Sequence, residues 1–315
     1  MRALVTGAAG FVGSFLVEAL LARGDEVTGI DCFSSYYEED RKRANLTTAA
    51  EHDSFTLVTD DLNEADLTHI LEGVDVVFHL AGQPGVRASW GEEFDIYLTQ
   101  NVLTTQKLLE AVKARPVHRF VLASSSSIYG QAERFPTQES DRPRPISPYG
   151  VTKLAAEHLC HLYHEAFGVP TVMLRYFTIF GPRQRPDMAF SRFIASAFDD
   201  EPLTVIGDGG QTRDFTYVAD AVAATIAAGD DGVAGKVYNV AGGCYASVNE
   251  VVETLERLLG RPLERNHLPP VMGDPRRTGA DVTAAKTDLG YAPEIDLATG
   301  LGAQLEHATA AREVA

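Results

Sequence analysis

The first fourteen residues constrain the fold of this chain more than any other stretch. Residues 2–5 form a short apolar run that predicts a buried strand. A turn with glycines at positions 7, 10 and 13 follows, and apolar residues then recur at helical spacing as far as Leu20. A strand, a glycine-rich turn and a helix in this order predict a loop that binds phosphates.

Each glycine of this loop has a predicted task. Gly7 permits the tight turn, Gly10 leaves room for a pyrophosphate beside the backbone, and Gly13 lets the helix pack closely on the strand. The free N–H groups at the start of the helix, around Phe11 and Val12, then face the phosphates at the positive end of the helix dipole. The ligand predicted for such a loop is a dinucleotide.

An acidic residue follows where a dinucleotide site needs one. Residues 26–30 predict a second strand, and Asp31 ends it, eighteen residues after Gly13. A carboxylate there accepts hydrogen bonds from the adenosine ribose hydroxyls and repels a 2′-phosphate, which favours NAD over NADP. A glycine-rich turn without a ligand is the alternative, but it does not explain strand, loop, helix, strand and acid in register.

Bulk properties narrow the partners and the compartment. The chain has 315 residues, enough for one large domain or two coupled ones, and a net charge of −17. That charge argues against nucleic acid and anionic membranes as partners. The three cysteines form no CxxC pair, the first strand leaves no room for a signal peptide, and no apolar run approaches about 18 residues. We therefore expect a cytoplasmic chain without a membrane span.

Strand-like and helix-like stretches alternate along residues 1–177, which predicts an α/β fold with a Rossmann-like, doubly wound parallel sheet. Near residue 178 the elements shorten, and prolines and glycines become frequent. We predict an NAD-binding domain (1–177 plus about 216–240) and a smaller C-terminal lobe for the substrate (about 178–215 plus 241–315). The clearest predicted elements are the strand 55–59 and the helix 148–167. Residues 34–43 are predicted as a loop over the cofactor.

Two further stretches carry reactive side chains. Four serines, residues 124–127, end the fifth predicted strand, at the sheet edge where open parallel sheets bind ligands. Tyr149 and Lys153 open a long helix and lie four residues apart, on one face. The charge of Lys153 is expected to favour the phenolate and to lower the pKa of Tyr149 from about 10. Tyr149 then becomes a base that works near neutral pH.

The glycine loop, the serine-rich strand end and the tyrosine–lysine pair together resemble the extended short-chain dehydrogenase/reductase family, over essentially the whole chain. The resemblance implies that Tyr149 is the catalytic base, that Lys153 is its ribose-binding partner, and that Ser125 hydrogen-bonds the sugar 4-hydroxyl. Besides the loop residues and Asp31, it implies NAD contacts from Asp61, Leu62, Leu80, Ala81, Gln83, Asn101, Tyr149, Lys153 and Tyr176.

Other stretches are similar to the nucleotide-sugar branch of that family. Residues 79–82 (His-Leu-Ala-Gly) and 207–215 (Gly-Asp-Gly-Gly-Gln-Thr-Arg-Asp-Phe) resemble marks of its epimerases and dehydratases. Residues 83–87 and 175–189, the latter with an Arg-Pro-Asp-Met run, resemble UDP-glucuronate 4-epimerases in particular. The resemblance therefore implies a UDP-sugar 4-epimerase, most of all one that acts on UDP-glucuronate.

The serine-rich strand end bears on the substrate. Dehydratase relatives carry Asp-Glu after the catalytic Ser or Thr, and decarboxylase relatives also carry an acid there, whereas this chain has Ser126 and Ser127. Small hydroxyls can donate hydrogen bonds to a sugar carboxylate that an acid would repel. The predicted substrate-binding residues are Arg87, Ser125, Ser126, Ser127, Thr178, Arg185, Met188, Arg213 and Arg276. The resemblance implies that Arg213 and Arg276 bind the pyrophosphate, which suits guanidinium groups.

The sequence leaves alternatives open. The nearest alternative is an epimerase of neutral UDP-hexoses or N-acetylhexosamines, in which the four serines surround a hydroxymethyl group. A nucleotide-sugar dehydratase or decarboxylase is the next alternative. A non-catalytic NAD-binding sensor is an alternative from outside the enzymes. The resemblance also implies a homodimer through the helices around 93–113 and 149–167. Histidines at positions 158, 161 and 164 have no nearby ligands to complete a cluster, so no metal site is predicted.

Overall fold

The computed structural model describes residues 1–314. Short apolar runs form its strands, and longer amphipathic stretches form its helices. The strands are β1 (Arg2–Thr6), β2 (Glu26–Asp31), β3 (Phe55–Thr59), β4 (Val76–His79), β5 (Arg119–Ser125), β6 (Thr171–Tyr176), β7 (Ile179–Phe180), β8 (Leu203–Ile206), β9 (Thr212–Tyr217), β10 (Val237–Val240), β11 (Cys244–Ser247) and β12 (Arg265–Leu268). The α-helices are α1 (Phe11–Ala22), α2 (Glu39–Asn45), α3 (Thr47–Ala50), α4 (Leu67–Ile70), α5 (Phe94–Tyr97), α6 (Thr104–Ala114), α7 (Pro148–Phe167), α8 (Ala189–Phe198), α9 (Val218–Asp230), α10 (Val248–Leu259), α11 (Thr283–Leu289) and α12 (Leu297–Val314).

The main sheet is parallel, with the strand order β10-β6-β5-β4-β1-β2-β3. Strand β1 lies inside it, and its residues Ala3, Leu4 and Val5 are fully buried, as a strand covered on both faces requires. Ala3 and Val5 belong to a core with α1 and α9, whereas Leu4 belongs to a core with α6 and α7. The predicted doubly wound sheet is confirmed.

The chain after residue 178 builds mostly a second core. Strands β7, β9 and β11 form a three-stranded sheet, and β8 pairs with β12. Phe180, Phe190 and Phe215 pack together there, with ring centroids 5.0–6.1 Å apart. Helices α8, α10 and α12 add Phe193, Leu255 and Leu301, among others, to this core.

Two segments cross between the cores. Strand β10 joins the main sheet beside β6, and α9 packs against α1 under it. Residues 283–291 return as well, since Ala285, Leu289 and Tyr291 belong to the core of the main sheet. The boundaries of the two lobes remain a prediction.

Residues 34–43 differ from the sequence prediction of a loop. Helix α2 begins at Glu39, where two acidic residues occupy its first turn and two basic residues its last. Such charges complement the helix dipole, which explains the early helix start. Along residues 1–314, no helix combines the length and the hydropathy that a bilayer span requires.

Candidate active site

The glycine loop connects β1 to α1 through two contacts that exclude larger residues. Gly7 has φ +69°, and a Cβ on it would lie 2.9 Å from the Ala81 nitrogen. A Cβ on Gly13 would lie 2.1 Å from the Gly7 carbonyl oxygen. These positions therefore require glycine for the turn and for the close approach of α1. Gly10 precedes the helix with an extended ψ, and no side chain within residues 1–314 caps the helix at that position.

The polar groups beside this loop, at the end of β2, are only partly hydrogen-bonded within the described chain. Asp31 Oδ2 accepts a hydrogen bond from Ala9 N at 3.0 Å, and Oδ1 accepts one from Phe33 N at 2.8 Å. The Tyr37 hydroxyl is buried without a hydrogen-bond partner in the described chain, and burial and the Asp31 charge raise its pKa to about 12. A buried unpaired hydroxyl normally has a bound partner. The set therefore fits the adenosine end of NAD, which the free N–H groups of α1 and the carboxylate of Asp31 would hold.

Asn101 ties the loop after β4 to the helix that carries the tyrosine. Its side chain accepts a hydrogen bond from Gln83 N at 2.7 Å, and donates to Gln83 O at 3.1 Å and to Thr152 Oγ1 at 3.0 Å. It lies in a π-helical stretch, Leu98–Leu103, between α5 and α6. Such stretches are frequent at functional sites. Asn101 thus fixes Gln83 beside the cavity.

Helix α7 places Tyr149 in its first turn and Lys153 in its second. The Ser147 side chain caps it by accepting a hydrogen bond from Gly150 N at 3.1 Å, and Pro148 occupies the first helical position. The Tyr149 ring packs edge-on against Tyr97, with the centroids 6.3 Å apart. The predicted start of this helix is therefore confirmed.

The prediction that Lys153 lowers the pKa of Tyr149 is wrong. Burial disfavours the phenolate and raises the pKa of Tyr149 above its usual 10. The opposing effects come from a hydrogen bond with Ser125 and from the charge of Arg185. Burial outweighs the hydrogen bond and the charge together. The four-residue spacing in the sequence carries no information on burial.

Lys153 itself is buried and unpaired. Its relative exposure is 8%, and its ammonium has no hydrogen bond or ion pair with any described residue. Burial lowers the pKa of Lys153 to about 8, while the Glu157 charge opposes the shift. An ammonium with three free donors beside a cavity fits the hydroxyls of a ribose.

A cavity of about 910 Å³ lies at the carboxyl edge of the main sheet and extends to the second core. It brings together the catalytic set, part of the predicted cofactor set and nearly all of the predicted substrate set. These lining residues are Phe11, Val12, Leu80, Gln83, Arg87, Ser125, Ser126, Ser127, Tyr149, Lys153, Tyr176, Thr178, Arg185, Met188 and Arg213. The remaining predicted residues do not line the cavity, namely Gly7, Gly10, Gly13, Asp31, Asp61, Leu62, Ala81, Asn101 and Arg276.

The arginines of the site differ in their partners. Arg87 is exposed, whereas Arg185 pairs with Asp187 through two bonds of 3.0 Å. Arg213 pairs with Asp274, which also lines the cavity. The predicted pyrophosphate contact of Arg276 is not brought to the cavity: its side chain is 61% exposed and binds Asp208 at 2.7 Å. Its role remains a prediction.

Several cavity residues are absent from the predicted set, and two of them, Arg192 and Tyr36, are polar and carry a lesson. Arg192 lines the cavity from the first turn of α8, four residues after Met188, so helical spacing could have extended the Arg-Pro-Asp-Met run to it. Tyr36 also lines the cavity, and its hydroxyl donates a hydrogen bond to Asp187 at 3.2 Å. No local signal in the sequence marks a contact across 151 positions.

Comparisons with known proteins agree with the resemblance seen in the sequence. The sequence model of the NAD dependent epimerase/dehydratase family matches residues 3–241. An uncharacterized UDP-glucose epimerase of Bacillus subtilis is 45% identical over 303 residues, covering 96% of each chain. UDP-glucuronate 4-epimerase of Thermodesulfobacterium geofontis is 38% identical over 303 residues, covering 95% of this chain and 93% of its own.

A solved structure is also similar over nearly the full length. UDP-glucuronic acid 4-epimerase from Bacillus cereus, in complex with UDP-glucuronic acid and NAD, superposes with a TM-score of 0.96 at 44% identity. The match covers 99% of this chain and 100% of that one. The chain therefore belongs to the NAD dependent epimerase/dehydratase family.

Proposed function

We propose that this chain is an NAD-dependent 4-epimerase that converts UDP-glucuronate to UDP-galacturonate through a 4-keto sugar. One observation carries the proposal: Tyr149, Lys153 and the hydroxyls of Ser125–Ser127 line one cavity together with Arg185. The same fold, in the similar Bacillus cereus protein, binds UDP-glucuronic acid and NAD. A base and groups that suit a carboxylate thus meet in one cavity.

The residues of the chain handle the proton and the orientation of the sugar. Tyr149 acts as the phenolate, a form that the charge of Arg185 favours. It accepts the 4-hydroxyl proton and returns it after the sugar has turned, and Ser125 hydrogen-bonds that hydroxyl. Lys153 holds the ribose near the phenol. When NAD is bound, it supplies the acceptor and then the donor of the hydride at carbon 4.

The carboxylate of the sugar needs its own partners. Ser126, Ser127 and Thr178 line the cavity and offer hydroxyl donors without adding negative charge. Charge-assisted hydrogen bonds contribute about 1.5–3 kcal/mol each. The 4-keto form of glucuronate is a β-keto acid, which is prone to lose CO₂. Hydrogen bonds that stabilise and orient the carboxylate therefore also protect this intermediate.

A second candidate is an epimerase of neutral UDP-hexoses, which the name of the Bacillus subtilis relative favours. The two are separated by kcat/KM for UDP-glucuronate against UDP-glucose, in the wild type and in Ser126→Ala, Ser127→Ala and Thr178→Ala. Thr287→Ala is the matched control, because its exposed hydroxyl bonds only its own helix. We expect the wild type to prefer UDP-glucuronate and the three variants to lose part of that preference. A wild type that prefers UDP-glucose contradicts the proposal.

We further propose a homodimer through helices α5 to α7, working in the cytoplasm. The large exposed apolar residues Ile96, Leu103, Val151 and Leu162 lie on these helices or on the π-helical stretch between them. Such clustering is typical of a protein interface. The three cysteines are all free, which is consistent with a reducing compartment.

A further inference from the structure

Three cavity residues form a chain of polar contacts, here called the Tyr36 clasp: Tyr36, Asp187 and Arg185. The Tyr36 hydroxyl donates to Asp187 Oδ2 at 3.2 Å. Arg185 Nε and Nη2 donate to the two oxygens of Asp187, each at 3.0 Å. The Arg185 guanidinium also lies over the Tyr36 ring, 5.8 Å from its centroid. The guanidinium is therefore held from two sides.

The clasp joins the two ends of the cavity. Tyr36 follows β2 by five residues, next to Tyr37, whose buried hydroxyl has no partner within residues 1–314. Asp187 and Arg185 belong to the segment between β7 and α8, on the side of the second core. All three clasp residues line the cavity. The position of Arg185 thus depends on a segment that borders the cofactor site.

Arg185 keeps donors for a ligand. A guanidinium has five N–H groups, and the clasp uses two of them. The other N–H groups make no hydrogen bond to residues 1–314, and the side chain, which lines the cavity, is 20% exposed. The charge of Arg185 also reaches Tyr149, where it favours the phenolate. Arg185 and Tyr149 line the same cavity, and carbon 5 of a hexuronate, which bears the carboxylate, adjoins carbon 4. A sugar whose carbon 4 is at Tyr149 can therefore present its carboxylate to Arg185.

We propose that Tyr36 and Asp187 are positioning residues that hold the Arg185 guanidinium in the orientation that receives the sugar carboxylate. The inference rests on the proposed function, since it assigns the carboxylate of that substrate to Arg185. Its rival is a simpler role for Asp187, in which the carboxylate neutralises Arg185 and competes with the substrate. When Asp187 is lost, the positioning role predicts a lower kcat/KM for UDP-glucuronate, whereas the competing role predicts a higher one.

The test measures kcat and KM for UDP-glucuronate and UDP-glucose in the single variants Tyr36→Phe and Asp187→Asn. It then measures them in each of these substitutions combined with Arg185→Ala. We expect Asp187→Asn to lower kcat/KM for UDP-glucuronate about tenfold and to leave UDP-glucose nearly unchanged, the scale of one hydrogen bond to a charged group. Tyr36→Phe should act in the same direction and more weakly. With Arg185→Ala present, neither substitution should change the ratio further.

The chain offers a matched control. Asp288 accepts a hydrogen bond from Tyr238 at 3.0 Å and pairs with Lys236, which makes a second tyrosine–aspartate–cation group outside the cavity lining. Asp288→Asn should therefore keep the wild-type ratio. The inference is overturned if Asp187→Asn raises kcat/KM for UDP-glucuronate, or if Tyr36→Phe lowers the ratio equally without Arg185. A wild type that prefers UDP-glucose overturns the proposed function itself. The variants alone decide the inference when the wild type prefers UDP-glucuronate, so the two failures are distinguishable.

Discussion

Replacement of Asp31 by alanine is expected to remove the preference of the chain for NAD over NADP. The Asp31 oxygens accept hydrogen bonds from Ala9 N and Phe33 N, which leaves each oxygen a lone pair for a ribose hydroxyl. Loss of one hydrogen bond to a charged group costs about 1.5–3 kcal/mol, or about 10- to 150-fold in NAD affinity. NADP carries a phosphate in place of the 2′-hydroxyl and gains from removal of the carboxylate charge.

Calorimetric titration of the wild type and the variant with each cofactor measures both dissociation constants. Loss of the Ala9 and Phe33 bonds weakens both cofactors alike, so the NADP/NAD ratio of dissociation constants is the informative quantity. It should fall at least about tenfold, the lower end of that range. Asp53→Ala is the control, since it removes an exposed acid that precedes β3, at the amino ends of the strands, whereas Asp31 lies at the carboxyl end of β2. An unchanged ratio in Asp31→Ala refutes the assignment of Asp31.

Three further predictions follow from the site. Tyr149→Phe should lower turnover about 10²–10⁴-fold by removing proton transfer, while circular dichroism and NAD titration stay normal; turnover near the wild-type rate refutes the role of the base. Lys153 has a folded pKa lowered to about 8, so the unfolded chain binds more protons between pH 8 and 10.5 and wild-type stability rises across that window. Lys153→Met should lack this rise of stability with pH. Its free energy of unfolding in urea at pH 7 should exceed that of the wild type by about 3 kcal/mol, and a lower value contradicts a charged, buried Lys153. Light scattering at micromolar concentration should give twice the mass of one chain, and a monomer mass contradicts the dimer.

Local signals in the sequence account for much of the fold. The strand Phe55–Thr59 and the helix Pro148–Phe167 have the predicted bounds. The helix is delimited by Ser147, Pro148 and Gly168, residues whose capping roles depend only on their immediate neighbours. The glycine loop was readable for the same reason, because the turn at Gly7 and the close approach of Gly13 to Gly7 lie within one short stretch. The contact of Gly7 with Ala81 was not readable.

Features that depend on tertiary burial or distant partners were not readable. The pKa of Tyr149 rises because the fold buries the phenol, and the helical spacing to Lys153 carries no information on burial. Arg276 lies outside the cavity because Asp208, 68 positions away, holds it there. The contact between Tyr36 and Asp187 likewise joins residues 151 positions apart, so it arises only in the folded chain.

The most direct test of the central claim is the interconversion of the two uronates. Purified protein is incubated with UDP-glucuronate in one vessel and with UDP-galacturonate in another, and the products are separated by chromatography. The proposed function predicts that both vessels reach the same mixture of the two sugars, with no lasting accumulation of NADH and no loss of CO₂. Absence of interconversion, or formation of a pentose or a dehydrated sugar, would contradict it.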